Sequence, residues 1–156
     1  MSKIPYSDVL GNRDAAVVIA ETPHRLFSVL DKLSAEELDQ SPAPNKWSLR
    51  EIMCHLADCE LVWGWRLRYA YEKDCAELQP FEQDPWAKMY SNYTYPQARA
   101  TFAALRAWNI AFVSGLSDSE REKPYLHPVR GMEKLWNLVE IMAGHDLHHL
   151  KSLAAR

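Results

Sequence analysis

Apolar residues recur at helical spacing in four stretches of the chain, and no stretch alternates with period two long enough to predict a sheet. In the first stretch Thr22 can cap, Pro23 suits a first helical turn, and Leu26, Phe27, Leu30 and Leu33 follow. The preceding "NRDAAVVIAE" is either an earlier part of that helix, kinked at Pro23, or a separate piece. "SLRE" reads as a capping box, Ser48 with Glu51, opening a second helix that runs to about Lys73. Its apolar face carries Leu49, Ile52, Leu56, Cys59, Trp63, Leu67 and Ala70. A third helix starts near Pro96, carries Ala100, Ala103, Ala104, Leu105, Trp108 and Phe112, and ends near Gly115. A fourth runs from about Met132 to the C-terminus with Leu135, Leu138, Ile141, Met142 and Leu153 apolar. Four amphipathic helices predict an all-α four-helix bundle.

The connection "CAELQPFEQDPWAKMYSNYTYP" is long for a compact domain, and such connections often carry function. The last loop, "SDSEREKPYLHPVRG", has room for one short turn at Ser117–Arg121. The length of 156 residues predicts a single domain, 1–156, able to bury a core. A net charge of −3 without a basic run gives no bulk attraction for nucleic acid. Cys54, Cys59 and Cys75 are too few, and odd in number, for a disulfide framework, which points to a reducing compartment. With no secretory pattern and no apolar run near the roughly 18 residues of a membrane span, the expected location is the cytoplasm. There is no glycine-rich phosphate loop.

Three of the six histidines lie in "GHDLHHLKSLAAR". At about 100° per residue, His145 and His149 share one arc with Leu138 and Met142, inside the apolar stripe. Two imidazoles at this spacing can reach one metal ion. His148 lies about 100° away, at the stripe's margin, where it could carry protons but is no natural third ligand. His55, flanking the inward arc of the second helix, can supply the third. Three histidines with an open position make a catalytic type of metal site.

Around this triad, Asp146 or Glu51 could orient ring N–H groups. Arg66 and Val62 continue the His55–Cys59 line, and Arg66 could meet a carboxylate or phosphate, or sit in an ion pair. Cys59 is a nucleophile or a small buried apolar residue. Glu60 points beyond the triad line, which suits a solvated or interhelical role. Trp63, Trp65, Trp86 and Trp108 are core or pocket aromatics, Asp84 a cap, and His24 and His127 surface residues.

At "TPHRL", "KWSLREIMCHLADCELVWGWRLR", "PFEQDPWA" and "HPVRGMEKLWNLVEIMAGHDLHHLKSL" the chain resembles the DinB-like superfamily, also called damage-inducible or YfiT-like. The specific part is "WSLREIMCHLAD" combined with a terminal "GHDLHH". The resemblance implies an up-down-down-up four-helix bundle with a divalent metal, commonly nickel or zinc. By position the ligands would be His55, His145 and His149, and members often form homodimers. It also implies a small-molecule substrate. Characterised relatives include transferases that use a low-molecular-weight thiol, and others are labelled only as metal-dependent hydrolases. The expected function is therefore a metal-dependent thiol-S-transferase or hydrolase, the alternative being a non-catalytic metal-binding bundle. Neither nucleic acid nor membrane is an expected partner.

Overall fold

The computed structural model describes residues 3–154. Four long helices form the body: α2 (Ala15–Leu30), α4 (Leu49–Glu72), α6 (Tyr95–Ser114) and α8 (Leu135–Ala154). Short helices α1 (Ser7–Leu10), α3 (Ala35–Asp39), α5 (Gln83–Ala87) and α7 (Asp118–Arg121) lie in the connections, with a 3-10 turn at Tyr90–Asn92. Strands β1 (Ala76–Glu77), β2 (Pro124–His127) and β3 (Gly131–Lys134) complete the elements. Among the described residues no helix is long and apolar enough to cross a membrane.

The expected helix starts are partly corrected. The first long helix begins eight positions before Pro23, where the Asp14 side chain accepts from the backbone N–H groups of Ala16 and Val17. Thr22 is therefore internal and buried, and its hydroxyl donates to the Val18 carbonyl at 2.8 Å. Pro23 has no N–H to give the carbonyl four residues back, that of Ile19. Arg106 of α6 donates to that carbonyl instead, at 2.9 Å. "SAEEL", read as the tail of the first helix, is a separate helix with its own capping box of Ser34 and Glu37. The box at Ser48 and Glu51 opens α4 as expected. The fourth helix starts at Leu135, because Met132 belongs to β3; its expected run to the C-terminus ends, at positions 155–156, outside the described residues.

The order of contacts gives the directions. Glu60 meets Arg106 and Asn109, Arg68 lies over Phe112, and Arg50 meets the carbonyls of Tyr90 and Tyr93. Positions on α4 and α6 thus rise together, and the two helices are parallel. Ile19 meets Arg106 while Asp31 meets Arg99 and Tyr95, so α2 runs against α6. The far end of α4 (Leu67, Ala70) packs with the start of α8 (Leu135, Val139), which makes these two antiparallel. The bundle is up-down-down-up. Parallel neighbours cannot be joined by a tight turn. The 24 residues of α4 span about 36 Å, and the connection 73–94 has to recover that length.

The expectation that no sheet forms is corrected. A β2–β3 hairpin pairs antiparallel, and β1, from the long connection, adds to it in parallel, in the order β1-β2-β3. These strands have two to four residues, too few to show a period of two. The sheet ties the two long connections together at one end of the bundle.

The core divides in two. One apolar cluster holds Ile19, Trp63, Leu67, Val113, Leu138 and Met142, and the other holds Leu26, Leu30, Ile52, Met53, Leu56 and Phe102. Each long helix passes from one cluster to the other across buried polar residues: Thr22 on α2, His55 and Glu60 on α4, Arg106 and Asn109 on α6, His145 and Asp146 on α8. A polar layer crosses the middle of the bundle.

Gly144 marks a close approach. A Cβ there would lie 2.5 Å from Tyr6 Cβ and 2.9 Å from the Tyr6 carbonyl oxygen. Backbone cannot swing away as a flexible side-chain tip can, so Gly144→Ala should lift the segment carrying Tyr6 off α8. We expect a cost of about 1–3 kcal/mol, the usual range for overpacking, read as a lower denaturant midpoint. An unchanged midpoint would mean that this segment yields freely.

Candidate metal centre

Repeating the turn of α4 carries His55 and Cys59 onto one line, and the same spacing carries His145 and His149 on α8. The antiparallel packing of the two helices brings the lines together. His145 Nε2 lies 3.1 Å from His55 Nε2 and 3.1 Å from His149 Nε2. His145 thus lies within 3.1 Å of each of the other two predicted ligands. Cys59 Sγ lies 3.6 Å from His55 Nε2, and the donor atoms of His55, Cys59 and His145 all fall within 4.8 Å of one another. Cys59 was weighed as a nucleophile or core residue, not as a ligand. Its signal in the sequence was the four-residue step from His55.

The residues fit a divalent cation. A neutral imidazole has one N–H and one lone pair, so two neighbours contacting His145 Nε2 cannot both make a full hydrogen bond with it, whereas a cation between the rings could take a lone pair from each. Burial keeps the rings neutral: it lowers His55 to about 4, lowers His149 to about 3, and together with the neighbouring imidazoles holds His145 well below the ordinary range. The Cys59 thiol is pushed far up, mainly by burial and then by Glu60.

Beside the histidines lies a buried ion network. Arg106 donates to Asp146 at 2.6 and 3.0 Å and to Glu60 at 2.7 Å, and Asn109 donates to Glu60 Oε2 at 3.0 Å. One guanidinium faces two carboxylates, so the layer holds an excess negative charge that favours a neighbouring cation. Asp146 and Glu51 do not orient ring N–H groups as expected: Asp146 is taken by Arg106 and Glu51 by its capping box. His145 Nδ1 is buried with no hydrogen-bond partner among the described residues. Aromatic edges hold its ring instead, Trp63 at 5.0 Å and Tyr6 at 5.5 Å between centroids. The interhelical option for Glu60 is the observed one.

Other expected residues fall as follows. Trp63 is buried at the site, whereas Trp65, Trp86 and Trp108 are exposed. Trp108 is displaced from the core because Arg106 and Asn109 occupy the buried face of α6, with Ala98, Phe102 and Val113. Asp84 lies in the first turn of α5, whose N-cap is Glu82. His24 and His148 are exposed. His127, expected on the surface, is half-buried and lines the site. Arg106, Tyr6 and the hairpin were not anticipated.

A cleft of about 360 Å³ opens onto His55, Cys59 and His145. Its walls are α4 and α8, the Pro80–Gln83 segment, and the hairpin turn with His127 and Arg130. That volume suits a small molecule.

Comparison with known proteins bears on the fold and the family. A relative from Oceanobacillus iheyensis, provisionally named a metal-dependent hydrolase, is 26% identical over 138 residues, 88% of this chain and 80% of its own length. The similarly named YfiT of Bacillus subtilis is 21% identical over 85% of this chain and 76% of its own. The solved structure of YfiT, described as a probable metal-dependent hydrolase with an unusual four-helix bundle topology, superposes with a TM-score of 0.82 at 19% identity, over 99% of this chain and 87% of that one. The four-helix bundle protein TT2238 superposes at 0.68 with 18% identity, over 91% and 97%. The DinB superfamily profile matches residues 19–153, and the chain belongs to that superfamily.

Proposed function

We propose that the protein is a metal-dependent enzyme acting on a small molecule, with a divalent ion, nickel or zinc, held by His55, His145 and His149. The observation that carries this reading is the approach of the His55 and His149 imidazoles to His145 Nε2, with His55 and His145 at the floor of an open cleft. A divalent ion in such a site supplies Lewis acidity and brings the pKa of a bound water or thiol towards neutrality.

What the chain itself offers favours thiol transfer. The buried carboxylates nearest the histidines, Glu60 and Asp146, are held by Arg106 and have no freedom to take a proton from water. Transfer asks less of a base: the sulfur of a low-molecular-weight thiol forms a bond to an electrophilic carbon, the leaving group departs with the electron pair, and the thiol proton goes to solvent. Trp63 and Tyr6 fix the His145 ring and cover the floor of the cleft. The names of the relatives support a second chemistry, hydrolysis of an ester or amide.

Cys59 supports a different reading. As a fourth ligand it would close the coordination shell, and the bundle would bind metal without catalysis. Metal content by mass spectrometry on untagged protein separates these readings. The wild type should carry about one divalent ion per chain, His55→Ala and His149→Ala should lose it, and Cys59→Ala should keep it. Loss in Cys59→Ala would favour the closed site, and no metal after reconstitution with nickel and zinc would overturn the proposal. Thiols and then esters are the substrates to screen on the loaded protein.

A further inference from the structure

We propose that the cleft above the histidines contains an anion subsite, formed by Arg66 with His127 and Arg130, for a carboxylate or phosphate group of the substrate. This rests on the reading of the cleft as the substrate site.

Arg66 of α4 stands about three turns beyond His55 and lines the same cleft. It is only partly exposed, donates to the Gln79 carbonyl at 2.5 Å, and has no carboxylate partner among the described residues. Burial and the nearby Arg130 both disfavour its charge. The guanidinium thus keeps donor capacity aimed at the cleft, in a place that an anion would stabilise.

The hairpin turn supplies the second observation. His127 Nδ1 accepts from the backbone N–H groups of Val129 and Arg130, each at 3.2 Å. The proton of the neutral ring is then on Nε2, yet Nε2 lies 2.9 Å from Arg130 Nη1, which is also a donor. Placing the proton on Nδ1 only moves the conflict to the two backbone N–H groups. In either tautomer one of these contacts around His127 sets donor against donor. An oxygen of a bound carboxylate or phosphate, accepting from His127 Nε2–H and from Arg130, resolves it. Arg130 is kept in place by Glu133, at 2.5 and 2.9 Å.

Among the described residues Glu82 is the one acid lining the cleft, and it is exposed at the rim. The walls between histidines and cations include Val62, Trp63, Phe81 and Ile141. The implied substrate has an anionic end, an apolar middle and a reacting atom at the histidines.

Isothermal titration at fixed ionic strength, with sodium phosphate and separately with succinate, tests the subsite on the protein as purified. Saturable binding of at least one probe is expected, weakened at least tenfold by Arg66→Gln, less by Arg66→Lys, and unchanged by the remote Arg25→Gln. Circular dichroism checks that each variant is folded. Treating the wild type with EDTA should leave the binding in place, since it leaves the cations untouched. Phosphate alone would assign a phosphate ester, succinate alone a carboxylate. Equal binding by Arg66→Gln and wild type, no saturable binding of either probe, or loss of binding in EDTA would overturn the proposal. Failure of the metal reading appears separately, as a wild type without metal.

Discussion

Arg106→Met should lower the stability of the protein by about 3–5 kcal/mol, the usual cost of removing one partner from a buried ion pair. For a chain of this size that corresponds to a fall in Tm of roughly 6–20 °C. The variant strands Glu60 and Asp146, which are almost wholly buried, and also leaves the Ile19 carbonyl, freed by Pro23, without its donor. A methionine of similar length fills the space but offers no hydrogen-bond donor. The arginine reaches all four long helices: it lies on α6 and bonds to α2, α4 and α8. Replacing Arg106, Glu60 and Asp146 together by apolar residues should recover much of the loss, because charges in such a layer are costly to bury in the first place. A thermal scan in which Arg106→Met matches the wild type would show that the carboxylates reach water or take up protons at little cost.

Acidifying the metal-free protein should destabilise it well before the carboxylates titrate. His55 and His149 have an ordinary value of 6.5 when unfolded and about 4 and about 3 when folded, with burial the first cause. Between those values the unfolded chain binds more protons than the folded one. Their contribution is intact above pH 6.5 and is lost as the pH falls through the window down to about 4. For His55 alone the whole window amounts to roughly 3 kcal/mol. Denaturant midpoints in EDTA at pH 7, 6 and 5 should therefore fall steadily, and saturating zinc should raise the midpoint at each pH. A midpoint in EDTA that is flat from pH 7 to 5 would mean that the rings are already hydrated or charged in the folded state.

The parts of this molecule that were legible in the sequence are those governed by local spacing. Ser48 and Glu51 announced α4, and the four-residue steps at His145–His149 and around His55 placed the three imidazoles on inward faces. The misread parts depend on contacts between distant segments. On α6, an apolar count selected Leu105, Trp108 and Phe112, but the buried face runs through Phe102, Arg106, Asn109 and Val113. A charged residue in that stripe is invisible to hydrophobic periodicity until its partners on three other helices are known. Whether a helix starts at Pro23 or runs through it stayed open in the sequence, because the donor that replaces its missing N–H lies 83 positions on, at Arg106. The small sheet escaped notice because its strands are held by pairing across the fold, such as Leu78 N–H to the Leu126 carbonyl, more than by their own composition.

The parallel course of α4 and α6 has a consequence for how such a protein can diversify. The chain that must travel back along the bundle is also the chain that walls the cleft, at Pro80–Gln83, while the imidazoles sit on rigid helices. On the proposed reading, the ion's ligands lie on the long helices, while part of the wall that meets the substrate lies on connecting segments. Insertions or substitutions in the returning segment can change what enters the cleft while the three histidines keep their places, so a lineage can explore new chemistries on one inherited framework.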